Sequence, residues 1–168
     1  MTALTHDEQL AFIGTLITPA QTAQTRWGVP ASVTIAQAIL ESGWGRTSLA
    51  RLALNYFGVK AHGNLDYMEF PTHEWVAGQS VATVADFAKY PDVEASFADH
   101  ATLIATLPRY APAMAVRDDP TRFAAALQTC GYSTNPAYGA ELWQIIQEYG
   151  LAAYDAPPAP PPPAQPAA

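Results

Sequence analysis

Leu10, Ile13, Leu16 and Ile17 recur at helical spacing, behind a Thr5 that has Glu8 three residues on. Apolar positions three and four apart share one face of a helix, and the Thr-x-x-Glu pair reads as a capping box. The pattern therefore predicts a first helix opened at Thr5. Thr18-Pro19 reads as a second start, with Pro at the first helical position, and Gly28 as its end. A third helix is expected from Pro30 through Leu40, with Val33, Ala36 and Leu40 on one side, and a short one from Ser48 to Leu54.

The period changes in the middle of the chain. From Tyr67 to Val76, and again from Gln79 to Tyr90, Val, Thr and aromatic residues are frequent. Phe70, Thr72, Glu74 and Val76 alternate onto one face, and Ala77-Gly78 supplies a turn, so a small β-hairpin is expected. Helical spacing then returns. Ser96 with Asp99 is the expected cap of a helix ending at Pro108; Asp119-Pro120 starts another that Gly131 ends. Asn135-Pro136 starts the last, with Leu142, Ile145, Ile146 and Tyr149 as its buried stripe and Gly150 as its stop. Helices, a hairpin insertion and more helices make a mostly α, α+β domain.

The end of the chain departs from this pattern. "APPAPPPPAQPAA" from Ala156 to Ala168 is a Pro/Ala tract, without backbone donors at its prolines and without an apolar face. Residues 1–153 are expected to form one domain, and 154–168 a disordered tail or linker. With 168 residues and 49% hydrophobic composition, such a domain can bury a core without a disulfide or metal staple. The single cysteine, Cys130, excludes an intramolecular disulfide framework and a thiolate zinc cluster, and reads as a small buried residue.

Charge and motifs exclude several function classes. The net charge is −7 and the eight Lys and Arg form no basic stripe, which argues against nucleic-acid binding. No apolar run is long enough to span a membrane. "MTALTHDEQLAFIGTL" has no basic n-region and no small-residue cleavage site, which argues against a secretory signal. His6, His62, His73 and His100 offer no paired metal-ligand spacing and read as surface or supporting residues, so no metal or cofactor is expected. Neither a G-x-S-x-G elbow nor a Gly-rich phosphate loop occurs.

Carboxylates among aromatics remain. Glu41 falls in the last turn of its helix, beside Trp44, with Gln37 one turn earlier on the same face. Apolar surroundings and a helix C-terminus both disfavour a charged carboxylate, so a buried Glu41 would keep its proton and could donate it. A solvated glutamate at a frayed helix end is the other reading, and the helix pattern alone leaves both open. Glu74 lies mid-strand beside Trp75, facing either a groove or solvent. Two carboxylates across a cleft are the equipment of glycoside hydrolysis. Tyr132 and Tyr138, in "GYSTNPAY", fit core packing or sugar stacking equally well.

In chain order, "VPASVTIAQAILESGWGRTSLA", "NYFGVK", "PTHEWVAGQSV", "SFADHATLI", "RY" and "GYSTNPAYGAELWQII" resemble the bacterial cell-wall N-acetylglucosaminidases of glycoside hydrolase family 73. That family includes the muramidase-like domain of the flagellar rod protein, autolysins and phage lysins. The likeness runs from about Leu10 to Leu151, and "AQAILESGWG" followed by "FGVK" is its most specific part.

The resemblance implies a lysozyme-like helical lobe, a small β-hairpin lobe and a cleft between them. It implies cleavage of the β-1,4 bond between N-acetylglucosamine and N-acetylmuramic acid in peptidoglycan glycan strands. Peptidoglycan strands are the expected partner of a chain expected to be a monomer. It places the general acid at Glu41, the second carboxylate at Glu74 and the motif tyrosine at Tyr132. Gln37, Trp44, Asn55, Phe57, Trp75 and Tyr138 become the expected substrate-binding residues, with Asn55 and Phe57 on the cleft floor. Trp75 stands where Tyr or Phe is usual, and Asn135 where Asp is usual; Asn still caps a helix.

Glu74 would either activate water or stabilise charge while the substrate's acetamido oxygen attacks, and the sequence leaves both open. A lytic transglycosylase and a non-catalytic wall-binding or assembly module are the rivals. Retained Glu41 and Glu74 argue against the module, and Glu74 with "GWG" against the transglycosylase. An extracytoplasmic substrate without a visible export signal suggests delivery by a non-classical, flagellar or phage route.

Overall fold

The computed structural model describes residues 3–63, 65–76 and 79–155, and the side chains of residues 73–76 and 80 lie outside that description. The expected turn at Ala77-Gly78 and the Pro/Ala tract from Ala156 fall outside the described residues.

The first element is one helix, α1 (His6–Trp27), where the sequence suggested two. Its capping box is as expected: Thr5 Oγ1 accepts from the Glu8 N–H at 3.3 Å, and Glu8 Oε2 accepts from the Thr5 N–H at 2.8 Å. Pro19 lies inside the helix and does not restart it. An interior proline costs about 3 kcal/mol. Burial of Leu16, Ala20 and Ala23 along one face, on both sides of Pro19, holds the helix together across it. Gly28, at φ 78°, ends it in the left-handed region.

Helix α2 (Ala31–Ser42) is the axis of the fold. The expected one-sided stripe of Val33, Ala36 and Leu40 gives way to burial all round: every residue from Ala31 to Ile39 is buried. A helix apolar on all faces must be enclosed, and α1, two later helices and the C-terminal turn enclose it. Pro30 at its N-cap offers no side-chain cap. Asp155 takes that role from the far end of the chain, accepting from the Ser32 N–H at 2.8 Å and the Ser32 hydroxyl at 2.7 Å. Gln21 Nε2 also donates to the Tyr154 carbonyl at 3.0 Å. The packed chain therefore extends to Asp155, two residues past the expected boundary.

After the short helix α3 (Ser48–Ala53) comes an antiparallel hairpin, β1 (Tyr67–Val76) and β2 (Gln79–Ala88), with Tyr67 opposite Ala88 and Glu74 opposite Val81. The second strand stops at Ala88, short of Tyr90, because the Tyr90 N–H turns to the Ala53 carbonyl at 2.9 Å. The hairpin base is stitched to the segment following α3 by Ala88 N–H to Val59 O (3.0 Å) and Ala61 N–H to Asp86 O (2.9 Å).

Helix α4 (Val93–Thr106) is capped by Asp92, which accepts from the Ala95 N–H at 2.7 Å. The expected cap, Ser96, is a buried residue inside the helix, and Asp99 accepts from the Tyr90 hydroxyl at 2.7 Å. The pattern did not foresee a 3-10 turn at Pro108–Tyr110 or the one-turn helix α5 (Ala111–Met114). Helices α6 (Pro120–Thr129) and α7 (Tyr138–Glu148) close the core. The expected start at Asn135-Pro136 is a turn before α7, in which Asn135 Oδ1 accepts from the Ala137 N–H at 2.9 Å. Phe97, Ile104, Phe123, Leu127, Leu142 and Ile146 are fully buried in the core.

Candidate active site

The last turn of α2 projects Glu41 from the most enclosed helix of the protein. The chain then turns sharply: Gly43 (φ 55°), Trp44 (φ 62°) and Gly45 (φ 70°) all lie in the left-handed region. Ser42 locks this turn, its buried hydroxyl donating to the Ala38 carbonyl and accepting from the Gly45 N–H at 2.7 Å. A Cβ at Gly45 would come within 2.6 Å of the Phe12 ring, so the position needs glycine. The turn is thus pinned, and Glu41 starts from a fixed backbone.

A cleft of about 440 Å³ opens beside Glu41. Phe57, Leu103, Ile104, Leu107 and Tyr110 give it an apolar wall, and Lys60, His62 and Arg109 give it positive or protonatable groups. Glu41 is the one carboxylic acid lining it among the described residues. Those residues contain no cluster of three or more His, Cys, Asp or Glu able to hold a metal ion.

Both carboxyl oxygens of Glu41 are bonded. Tyr138, the first residue of α7, donates to Oε1 at 2.6 Å, and Tyr132, beyond α6, donates to Oε2 at 3.2 Å. The two rings stack at 5.4 Å with an interplanar angle of 21°. Behind Tyr138, Gln37 Nε2 donates to its hydroxyl at 2.9 Å; behind Tyr132, His100 Nε2 lies 3.0 Å from its hydroxyl. Four side chains from α2, α4, α7 and the α6–α7 link thus converge on one acid.

Burial pushes the Glu41 carboxyl up to about 8, against the opposing pull of the hydrogen bonds from Tyr138 and Tyr132. Desolvation penalises the carboxylate more than two hydroxyl donors stabilise it. Glu41 therefore keeps its proton near neutral pH while facing a cleft, as a proton donor requires. This decides between the two readings of the helix-end glutamate.

The other expected site residues separate into two groups. Phe57, Tyr132 and Tyr138 gather at Glu41: Phe57 and Tyr132 line the cleft, while Tyr138 is buried against the acid. Gln37, Trp44 and Asn55 do not line it. Gln37 is fully buried beneath Tyr138. Trp44 packs edge-on to Tyr149 at 5.2 Å and tilted against Phe12 at 6.0 Å. Asn55 spends its amide on the backbone, donating to the Val59 and Ala88 carbonyls at 2.8 and 2.9 Å and accepting from the Val59 N–H at 3.0 Å. It holds the hairpin base to the cleft floor. Glu74 and Trp75 belong to β1, but their side chains lie outside the described residues.

Two further residues line the cleft. His100, which the sequence reads as a surface or supporting histidine, is buried and supports Tyr132; its spacing from Phe97 and Ile104 on α4 is the signal that places it inward. Tyr110 follows Pro108 in an irregular segment where periodicity says nothing.

Residues 17–151 match the glucosaminidase family, described as mannosyl-glycoprotein endo-beta-N-acetylglucosaminidase. The chain is 38% identical over 154 residues to the exo-glucosaminidase LytG of Bacillus subtilis, covering 89% of this chain and 54% of that protein. It is 38% identical over 144 residues to the peptidoglycan hydrolase FlgJ of Escherichia coli K12, covering 82% of this chain and 46% of that one. The chain thus spans about half the length of these curated relatives. The solved catalytic domain of the autolysin Auto from Listeria monocytogenes superposes with a TM-score of 0.80 at 30% identity, covering 92% of this chain and 91% of that one.

Proposed function

The chain belongs to the glucosaminidase family, and from that premise we propose that it is a peptidoglycan hydrolase cutting the β-1,4 bond between N-acetylglucosamine and N-acetylmuramic acid. The observation that carries this reading is Glu41 itself: one acid, facing the cleft and held protonated near neutrality.

Glu41 gives its proton to the glycosidic oxygen as the bond to the anomeric carbon breaks. The carboxylate left behind is met by the Tyr138 and Tyr132 hydroxyls, already aimed at its two oxygens. Hydrogen bonds to an ionised acceptor are the stronger kind, so these contacts strengthen as the proton leaves, which is when they lower the barrier. Glu74 is the second carboxylate, either activating water from the opposite face or stabilising the oxocarbenium-like charge while the acetamido oxygen attacks. The direct water route calls for carboxyls about 6.5–9.5 Å apart. Lys60 and Arg109, beside an apolar wall, suit a sugar chain whose muramic residues bear peptide stems ending in carboxylates.

Turnover on purified peptidoglycan tests the proposal, with mass analysis of the released ends. Fragments with reducing N-acetylglucosamine ends support it. Anhydromuramic ends would make the protein a transglycosylase, and no release at all would make it a binding module.

A further inference from the structure

We infer that His100 is a positioning residue whose Nε2–H holds the Tyr132 hydroxyl as a one-way donor to Glu41. The inference rests on the reading of Glu41 as the acid, and it adds a buried imidazole to the apparatus that tunes it.

The starting point is an atom without a partner. His100 is 2% exposed, and its buried Nδ1 has no hydrogen-bond partner among the described residues. Its ring stacks on Phe57 with centroids 3.8 Å apart and planes 16° from parallel, a contact that an apolar ring would make without stranding a nitrogen. Unsatisfied buried polar atoms call for a reason. The other nitrogen supplies one, lying 3.0 Å from the Tyr132 hydroxyl.

The network also assigns the proton. Tyr132 has one hydroxyl proton, and Glu41 Oε2 lies 3.2 Å away to accept it. If Nε2 took that proton instead, Glu41 would lose a donor and Nδ1–H would be a buried donor with no acceptor. With the proton on Nε2, His100 donates to Tyr132, Tyr132 donates to Glu41, and the unpaired Nδ1 is only a bare acceptor. Orphaned N–H groups are the rarer defect in folded proteins. Burial also pushes the imidazole down to about 3, which keeps it neutral near neutral pH. The Phe57 stack fixes the ring plane, so the direction of the relay is built in. A donor behind Tyr132 polarises its O–H and makes it a better donor to the carboxylate that forms on Glu41.

Nitrogen-15 NMR of the histidine side chains in the wild-type protein reads the tautomer directly. An Nε2–H tautomer at His100 is expected, and an Nδ1–H tautomer overturns the inference. Carbon-13 NMR titration of the Glu41 carboxyl then tests the effect. His100→Phe keeps a stacking ring but removes the donor, and should move that titration upward by about half a pKa unit. His100→Gln, which retains a donor amide, should restore part of the shift. In a Tyr132→Phe background the shift caused by His100→Phe should vanish, because its route passes through Tyr132. A shift of the same size in both backgrounds would leave His100 as a packing residue only. None of these readings needs a substrate: if they hold while peptidoglycan is not cut, the proposed function fails and the relay stands.

Discussion

Tyr138 donates its hydroxyl proton to Glu41 Oε1 across 2.6 Å, joining the first residue of α7 to the last turn of α2. The bond pulls the Glu41 carboxyl down while burial pushes it up to about 8, and burial dominates. General-acid chemistry needs the protonated form, so the kcat/KM profile should fall as pH rises through about 8. Tyr138→Phe removes a stabiliser of the carboxylate. Its alkaline limb should move to higher pH and its turnover should fall, because the charge formed in the transition state loses a donor. A variant whose limb stays in place would show that Tyr138 packs against Glu41 without tuning it.

Glu41→Gln keeps the size of the side chain but cannot give up a proton, so turnover should drop by at least about 10²-fold. The same variant should separate catalysis from stability. The folded protein holds the Glu41 proton more tightly than the ordinary carboxyl at 4.5 does. Its contribution is therefore complete below about 4.5 and is lost as pH rises through about 8. Each pKa unit corresponds to about 1.4 kcal/mol, so the variant should gain on wild type by a few kcal/mol over that window. Urea midpoints of both proteins from about pH 5 to about pH 9 measure the difference directly. Parallel curves would mean that burial does not hold the proton on Glu41.

Much of this arrangement was legible because its signals are local. The Thr5–Glu8 box, the Asp119-Pro120 start, the two strands and the acid at the end of α2 each follow from spacing and capping within a few residues. The sequence is silent where distant contacts decide. Nothing near Pro19 reveals that Leu16, Ala20 and Ala23 will be buried together, and nothing near Ser32 reveals that Asp155 will return to cap it. Gln37 is expected at the site because it lies one turn before Glu41, and Asn55 because its segment with Phe57 resembles a cleft floor. Helix and loop geometry turns Gln37 beneath Tyr138 and Asn55 into the hairpin base. Tyr132 and Tyr138 could not be read as partners of Glu41 until three helices had been packed around it.

Asp155 gives the C-terminal boundary an energetic meaning. Ending the chain after Ala153 removes both hydrogen bonds to Ser32 and the bond from Gln21 to the Tyr154 carbonyl. Loss of a helix N-cap costs about 1 kcal/mol, and for a domain of this size that lowers Tm by about 2–4 °C. Ending it after Asp155 removes the Pro/Ala tract and keeps these bonds, so Tm and activity on soluble fragments should not change. Calorimetry of the two truncations side by side makes the comparison. Equal stability of both would deny Asp155 its capping role.

The stereochemistry of the first product bears on Glu74. Glu41 can protonate the leaving oxygen by either route, so it does not discriminate between them. If Glu74 is the base, water attacks the anomeric carbon from the face opposite the leaving group, and a β-linked substrate releases an α-anomer. Glu74→Gln should then be severely impaired, and azide should rescue it by replacing the activated water. If the acetamido oxygen attacks first, two inversions restore the β-configuration. Glu74→Gln should then lose less, and azide should have no effect. Glu74 sits in the strand block that carries the resemblance to two-carboxylate enzymes, so the α-anomer and azide rescue are the expected results. Proton NMR of the sugar released in the first moments, before mutarotation mixes the anomers, separates the two routes. A first-formed β-anomer would remove Glu74 as the base and leave Glu41, with Tyr138 and Tyr132 at its oxygens, as the acid of a substrate-assisted reaction.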